Sequence, residues 1–338
     1  MIINLLGFAI GLLLLVKGSS YFIKSAASLA KKFNVSEFII GLTLVAIGTS
    51  LPELISSIVA SAKNESGLVI GTITGANIAN MGLIIGVAAF FMVIKTKEKI
   101  LNREGYIMIA SFILFQLFIL NNVISRIEGI VLVIFFIAYT LFIFEAKSTK
   151  KSGFIEFSNY FFKFGYVNSV WQRLSKKSKG KKAGYSKIGI AKDVMFMLVS
   201  GVAIFFGAKY VVEEAVFFAN LLSLPQVVIG ALIAIGTTMP EMSVAVTAVR
   251  NKMGNIVIGN ALGSCLTNTL LVLGISSIIN PLNVLRITLL YVAPFMIFLG
   301  LILLFFIKSN WEIRKKEGVI LILLYVVFMA LLIIRVIF

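Results

Sequence analysis

Two six-residue segments decide the fold of this chain: Gly48-Thr49-Ser50-Leu51-Pro52-Glu53 and Gly236-Thr237-Thr238-Met239-Pro240-Glu241. Both have the form Gly-Thr-(Ser/Thr)-x-Pro-Glu, and Glu241 follows Glu53 at an offset of 188 residues. Each segment places a proline and a carboxylate near the middle of a long apolar stretch, where an ionisable residue is rare. The pair therefore indicates a duplicated membrane motif whose acid serves function rather than packing.

The similarity between the two halves extends far beyond these segments. Upstream, the offset is 189: Gly18, Tyr21, Ala26 and Gly41 correspond to Gly207, Tyr210, Ala215 and Gly230. Downstream, the offset of 188 continues from Val69-Ile70-Gly71, Gly75, Asn80, Leu83 and Gly86 to Val257-Ile258-Gly259, Gly263, Asn268, Leu271 and Gly274. A register kept over about seventy residues is typical of an internal repeat.

The composition places the chain in a membrane. Of its 338 residues, 59% are hydrophobic, the mean hydropathy is +1.04, and apolar runs of about 20 residues recur from end to end. Such runs form helices in lipid because a helix satisfies its own backbone hydrogen bonds, whereas the strands of a β-barrel would alternate with period two. The first run, Ile2–Val16, has neither a basic leader nor a small-residue cleavage site, so we interpret it as a span and not as a signal peptide.

The runs predict an all-α polytopic membrane protein with ten transmembrane helices in two inverted five-helix repeats. The predicted spans are 2–30, 37–62, 67–93, 105–121, 124–145, 192–219, 226–249, 254–279, 284–307 and 318–337. The predicted units are a first repeat at 1–145 (motif about 41–86), a basic linker at 146–191 and a second repeat at 192–338 (motif about 230–274). Each repeat has an odd number of spans, so the second enters the membrane from the opposite side, as in secondary transporters.

Basic residues are concentrated in the loops on one side of the predicted bundle, and the formal net charge is +17. These loops contain Lys31, Lys32, Lys95, Lys97, Lys99, Arg103, Arg250, Lys252, Lys308, Arg314, Lys315 and Lys316, and the connection from Lys147 to Lys192 adds twelve more against one acid, Glu156. The opposite loops hold little more than Lys63, Arg126 and Arg286. The positive-inside rule therefore predicts cytoplasmic basic loops and outside termini, in the cell membrane.

The linker charges are expected to meet anionic lipid headgroups of the bilayer, and a regulatory role for the linker is the alternative. The basic residues lie in short loops rather than on an amphipathic or aromatic-studded face, so no nucleic-acid partner is expected.

Two carboxylates at matching positions of inverted repeats would meet near the midplane of the bilayer, and their combined charge suits one Ca²⁺. Pro52 and Pro240 each remove a backbone donor and clash with the carbonyl four residues back, which frees oxygens that a cation can occupy. Thr49 and Ser50 lie four and three residues before Glu53, so all three can face one direction on a helix. Thr237 and Thr238 stand in the same relation to Glu241.

The third and eighth spans add Asn80 and Asn268, whose neutral amide oxygens hard cations accept. The competing interpretations are that these amides join helices and that the hydroxyls bond to their own backbone. Cys265 is interpreted as a small buried filler. Without histidine and with one cysteine, the chain lacks the soft ligands of zinc and copper sites, and no cofactor or enzymatic activity is expected.

At these residues the sequence resembles the sodium/calcium exchanger family, over nearly the whole chain. The signature is Gly-Thr-Ser-Leu-Pro-Glu at 48–53 followed by Gly-x-x-x-Gly-x-Asn-x-x-Asn at 71–80. The resemblance implies that Ca²⁺ is held by Glu53, Glu241, Thr49 and Thr237. It implies that Na⁺ uses the same glutamates together with Ser50, Thr238, Ser264 and the carbonyls of Ala46 and Ala234.

By the same resemblance, inward Na⁺ movement drives Ca²⁺ out while the first and sixth spans slide across the remaining helices. We expect a monomer. The family's Gly-Ser-Asn sequence reads Gly75-Ala76-Asn77 in the first repeat, where a hydroxyl is missing, and Gly263-Ser264-Cys265 in the second. Position 268 is Asn, where some relatives have Asp. The number of Na⁺ ions per cycle is therefore left open.

A cation/proton antiporter on the same scaffold is the main alternative, because a buried carboxyl group such as Glu53 or Glu241 can exchange a proton. The acid motif of the proton-coupled branch, Gly-Asn-Ala-Thr-Glu, is absent from this sequence, which favours sodium. A passive channel is a second alternative, but it would need a continuous wet path, commonly built from rings of several subunits.

Overall fold

The computed structural model describes residues 2–32, 49–96, 98–145, 153–169, 187–250 and 254–337. The first part of the predicted second span, including Ala46 and Gly48, and most of the predicted linker lie outside the described residues.

The elements of the first half alternate long helices with short irregular segments. In order they are α1 (Ile2–Lys32), α2 (Leu51–Ala62), α3 (Ser66–Ile78), the π-helix π1 (Ala79–Ile84), α4 (Ile85–Phe91), β1 (Ile94–Lys95), α5 (Glu98–Ile100), π2 (Leu101–Gly105), α6 (Tyr106–Phe118), a 3₁₀ turn (Ile119–Asn121), β2 (Val123–Ile124) and α7 (Arg126–Glu145). The linker contributes α8 (Phe154–Phe162).

The second half has a similar order of elements. It consists of α9 (Lys187–Leu221), α10 (Gln226–Thr237), α11 (Met239–Arg250), α12 (Gly254–Leu266), π3 (Thr267–Val272), α13 (Leu273–Ile279), β3 (Leu282–Asn283), π4 (Thr288–Val292), α14 (Ala293–Asn310), β4 (Glu312–Ile313) and α15 (Lys315–Ile337). Within the described ranges, nine helical segments are long and apolar enough to cross a membrane, and α2 is a shorter apolar helix. The prediction of an all-α polytopic membrane protein is confirmed.

The strand pairs display the two-fold relation between the halves. β1 pairs antiparallel with β4 (Ile94 opposite Ile313), and β2 pairs antiparallel with β3 (Ile124 opposite Leu282). At offsets of 188 and 189 residues, β1 corresponds to β3 and β2 to β4, so each pair is the image of the other. Asn122 and Trp311, which precede β2 and β4, both adopt the left-handed conformation with φ of 62° and 55°. The two pairs mark the two opposite faces of the bundle.

The last span of each half packs against the other half. A Cβ atom on Gly318 of α15 would lie 2.8 Å from the carbonyl oxygen of Gly86 in α4, and one on Gly129 of α7 would lie 2.8 Å from the carbonyl oxygen of Gly274 in α13. Because real Cβ atoms are not found this close to a backbone oxygen, glycine is required at both crossings. The halves are therefore interlocked rather than merely placed side by side.

The long helices α1 and α9 form an antiparallel pair. Their backbones approach at Gly11 and Gly207, where a Cβ on Gly207 would lie 2.8 Å from the carbonyl oxygen of Gly11. Lys32 Nζ lies 2.7 Å from Asp193 Oδ2 at one end of the pair, and Asn4 donates to Glu214 Oε2 at 2.8 Å at the other. The core of the bundle lies instead in the third span of each half: α3 to α4 is 94% buried over its apolar window.

The linker holds a helix that sequence analysis did not predict. Phe157 of α8 is 2% exposed, and its ring centroid lies 5.2 Å from that of Phe135 and 5.4 Å from that of Phe142 on α7. An aromatic contact therefore attaches the start of the linker to the first half.

Candidate functional site

The duplicated Pro-Glu segments lie where helices begin. In the second half α10 ends at Thr237 and α11 begins at Met239, so the helix is interrupted just before Pro240. In the first half α2 begins at Leu51 and Pro52 occupies its first turn. Proline is tolerated in a first turn because the N–H that it lacks has no intrahelical partner there. Each glutamate thus enters at the start of a helix.

Glu53 and Glu241 are both completely buried, with 0% exposure, and Ser50, three residues before Glu53, donates a hydrogen bond to Glu241. Both oxygens of Glu53 and Oε2 of Glu241 are buried without a hydrogen-bond partner. In the described part of the chain, neither carboxylate forms an ion pair with a lysine or arginine. Two uncompensated buried carboxylates are strongly unfavourable, so the arrangement favours a bound cation.

Hydroxyl groups from both halves converge on Glu241. Ser264 donates to Glu241 Oε1 at 3.2 Å, and Ser50, from the opposite half, donates to the same oxygen at 3.4 Å. Thr49 Oγ1 lies 3.4 Å from Ser264 Oγ. The structure therefore brings Thr49, Ser50, Ser264 and Glu241 into one buried cluster that joins the two repeats.

Glu53 has different surroundings. The side chain of Thr237 lies beside it, but Thr237 Oγ1 is directed to the Ala234 carbonyl at 3.4 Å. Thr238 Oγ1 donates to the same carbonyl at 2.8 Å. Ala76, fully buried, occupies the position that corresponds to Ser264. The Ala234 carbonyl thus accepts from the hydroxyls of both threonines. The corresponding residue of the first repeat, Ala46, lies outside the described residues.

Asn80 and Asn268 lie in π1 and π3, two π-helical segments at matching positions of the repeats. Both amides are completely buried, and neither the nitrogen nor the oxygen of either has a hydrogen-bond partner. π1 packs against α11, which carries Glu241, and π3 packs against α2, which carries Glu53. Each amide is therefore held next to the acidic helix of the other half, and π-helical turns are frequent at functional sites.

A polar contact that sequence analysis missed also joins the halves. Asn77 Nδ2 donates to Thr269 Oγ1 at 2.8 Å, and the thiol of Cys265 lies 3.7 Å from the Asn77 carbonyl. Cys265 and Met81 occupy the positions that correspond to Asn77 and Thr269, so the contact has no image in the other repeat. The internal repeat therefore gives no signal for this contact.

The carboxylates, hydroxyls and amides of the described site offer oxygen ligands. Among the described residues, no group of three or more His, Cys, Asp or Glu side chains could hold a metal ion. Two carboxylates surrounded by hydroxyls and amides match the preference of hard cations such as Ca²⁺ and Na⁺.

Comparisons with known proteins agree with this geometry. The sequence profile of the sodium/calcium exchanger protein family matches residues 3–145 and 192–334. Sodium/calcium exchanger MaX1 of Methanosarcina acetivorans is 50% identical over 344 residues, covering 98% of each chain. Inner membrane protein YrbG of Escherichia coli is 29% identical, covering 80% of this chain and 78% of its own.

Among solved structures, the sodium-calcium exchanger NCX_Mj soaked with Na⁺ and Sr²⁺ superposes with a TM-score of 0.61 at 27% identity. The match covers 97% of this chain and 98% of that one. Sequence and fold therefore agree along the whole length, and this multi-pass membrane protein belongs to the sodium/calcium exchanger family.

Proposed function

We propose that this chain exchanges Na⁺ for Ca²⁺ across the cell membrane by alternating access. One observation carries the proposal: Glu53 and Glu241 come from opposite halves, are fully buried, and present three carboxylate oxygens without a partner. Their charge balances one divalent cation. Family membership supports the choice of ions, because MaX1 and NCX_Mj are both named as sodium/calcium exchangers.

The proposed ligands follow the clusters described above. Ca²⁺ takes oxygens of Glu53, Glu241, Thr49 and Thr237, while Na⁺ uses the same glutamates with Ser50, Thr238, Ser264 and the carbonyls of Ala46 and Ala234. Asn80 and Asn268 support the site with amide oxygens, and Pro52 and Pro240 set the helix starts. The ions are cargo, and no resident cofactor is proposed. Shared oxygens make the two ions compete, which couples their movements.

The proposed orientation has both termini outside and the linker in the cytoplasm, as the distribution of lysine and arginine favours. The face marked by β1 and β4, which carries Lys95 and Lys315, is then the inner one. The face marked by β2 and β3, together with the Lys63 turn, is then the outer one. A monomer is proposed because each chain carries both halves of the site.

Uptake of radioactive Ca²⁺ into proteoliposomes tests the coupling ion. We expect an outward Na⁺ gradient to drive uptake that saturates with Ca²⁺, and an outward H⁺ gradient without Na⁺ to drive none. Uptake driven by the pH gradient alone would favour the cation/proton antiporter, and uptake that does not saturate or need a counter-ion would favour a channel.

A matched pair of variants tests whether the loss of exchange is specific to the carboxylates of the site. Glu241→Gln removes one site carboxylate, whereas Glu214→Gln removes a carboxylate of α9 that accepts a hydrogen bond from Asn4 and lies outside the site. We expect the first to lose Na⁺-driven uptake and the second to keep it. Equal loss in both variants would contradict the assignment of the site.

A further inference from the structure

A small cavity lies between α2, α3, α9 and α10, outside the cluster described above. Its walls include Ser56, Ser57, Thr72, Val211, Val212 and Ile233. The space open to the centre of a water molecule is about 10 Å³, enough for about one water or one dehydrated cation. None of these residues belongs to the repeated Gly-Thr-x-x-Pro-Glu motif.

One hydroxyl of the cavity is buried without a partner. Ser57 is 1% exposed, and its Oγ makes no hydrogen bond. The neighbouring Ser56 is different, because its hydroxyl donates to the Pro52 carbonyl at 2.6 Å. A buried hydroxyl without a partner is unfavourable and needs an explanation such as a transient ligand.

The cavity adjoins the carboxylate site. Ser57 follows Glu53 by four residues on α2, so both lie on the same side of the helix with Ser57 one turn nearer the Lys63 end. Thr72 precedes Ala76 by four residues on α3 and lies in the same direction from the site. The valines of α9 form the opposite wall. The cavity is therefore the next polar position between Glu53 and the face marked by β2 and β3.

The second repeat has a polar counterpart on the other side of the site. Asn260 of α12 corresponds to Thr72 at the offset of 188 and precedes Ser264 by four residues. It is 9% exposed, and its Oδ1 is buried without a partner. From there α12 runs to Gly254, which contacts Ile94 of β1. Asn260 thus lies between the site and the face marked by β1 and β4.

We propose that Ser57 and Thr72 on one side, and Asn260 on the other, are the first oxygen ligands that a cation meets after leaving the glutamates. They define two half-routes, one to each membrane face, and Val211 and Val212 of α9 close the outer one. Hydroxyl and amide oxygens suit a hard cation that has lost part of its hydration shell. The inference rests on the proposed function, because it requires that a cation passes through the site.

Side-specific labelling of single cysteines tests the two half-routes. In a Cys265→Ala background, Ser57→Cys and Asn260→Cys are exposed to a membrane-impermeant cationic methanethiosulfonate reagent, applied to intact cells or to inside-out vesicles. We expect Ser57→Cys to react at least about tenfold faster in intact cells, and Asn260→Cys at least about tenfold faster in inside-out vesicles. Thr72→Cys, which lines the same cavity, replaces Ser57→Cys if that variant does not reach the membrane.

Ser61→Cys is the matched control. Ser61 lies one turn beyond Ser57 on α2 and is fully buried, but its hydroxyl donates to the Ser276 carbonyl at 2.6 Å. It should not react from either side. The proposal is overturned if Ser57→Cys and Asn260→Cys react from the same side, or if neither reacts while the variants still exchange ions. Labelling as expected in a protein driven by H⁺ rather than Na⁺ would retain the routes and reject only the proposed function.

Discussion

The two glutamates of the site occupy matching positions but unlike surroundings. Glu241 accepts hydrogen bonds from Ser264 and Ser50, whereas both oxygens of Glu53 lack a partner. Two residues account for the difference: Ala76 stands where the other repeat has Ser264, and Thr238 donates to the Ala234 carbonyl rather than to Glu53. The scaffold is symmetric at its strand pairs and glycine crossings, but the site that it carries is not.

This asymmetry has a consequence for ion binding. A cation beside Glu241 finds hydroxyls from both halves, while a cation beside Glu53 finds one fewer oxygen because of Ala76. A divalent ion that contacts both carboxylates depends mainly on their charge, whereas a Na⁺ ion depends on the local count of oxygens. We therefore expect variants that remove or add a hydroxyl to change Na⁺ dependence more than Ca²⁺ dependence.

The largest effect is expected from neutralising either acid. Glu53→Gln and Glu241→Gln should each reduce Na⁺-driven Ca²⁺ uptake by at least about 100-fold, because removing one charge of a buried pair with its ion costs roughly 3–5 kcal/mol. The different hydrogen-bond partners of the two glutamates should not change this loss of uptake, because the lost charge is the larger effect. Uptake in proteoliposomes measures the effect, and robust exchange in the double variant would reject the site.

The glycine crossings should respond equally in the two halves. Gly129→Ala and Gly318→Ala each place a Cβ 2.8 Å from a backbone carbonyl oxygen, and such overpacking costs about 1–3 kcal/mol. Thermal unfolding in detergent measures both. A large loss in one variant and none in the other would show that the interlocked packing is not symmetric.

Ser264→Ala should affect sodium more than calcium. The variant removes a donor to Glu241 and the neighbour of Thr49, and a hydrogen bond to a charged group contributes about 1.5–3 kcal/mol. We expect the Na⁺ concentration for half-maximal exchange to rise by about tenfold or more, with a smaller change for Ca²⁺. Equal changes in the Na⁺ and Ca²⁺ concentrations for half-maximal exchange would contradict the expectation that the two ions depend on different groups of the site.

Ala76→Ser is the reciprocal change, since it gives Glu53 the hydroxyl that Glu241 already has. We expect a lower Na⁺ requirement, by less than about tenfold because the buried site must adjust to the added oxygen. The dependence of uptake on Na⁺ concentration measures both the affinity and the Hill slope. If neither changes, the hydroxyl at this position is irrelevant.

The smallest effect is expected at an ion pair that exists on one face only. Lys63 Nζ of α2 lies 2.7 Å from Glu213 Oε1 of α9, and both side chains are partly exposed. The corresponding position of Glu213 in the first half is Lys24, so no image of the pair can form. Lys63→Ala should lower stability by at most about 1 kcal/mol, and less at high salt. A loss as large as that of the glycine variants would mean that the pair stabilises the contact of α2 with α9 more strongly.

The sequence was sufficient to predict the parts of the molecule that depend on repetition and hydropathy. The spans follow from apolar runs, and the approach of Glu53 to Glu241 follows from placing one acid at the same position of each inverted repeat. Gly86 and Gly274, which the internal repeat places at matching positions, both lie against the backbone of another helix. These inferences need only local patterns and a symmetry operation.

Other features could not be predicted because they depend on tertiary contacts. π1 and π3 continue an apolar helical pattern without a sequence signal, and strands of two residues are too short to produce alternation. α7 packs against α13 and α15 packs against α4. The sequence does not specify that the last span of each half packs against the other half. The contact of Asn77 with Thr269 breaks the symmetry of the two repeats, as do the unlike surroundings of the two glutamates.

A crystal structure of the protein soaked with Ca²⁺ tests the central claim most directly. We predict one ion between the two halves, with oxygens of both Glu53 and Glu241 at about 2.3–2.6 Å. An ion bound by only one of the glutamates, or density elsewhere with the two carboxylates apart, would contradict the account.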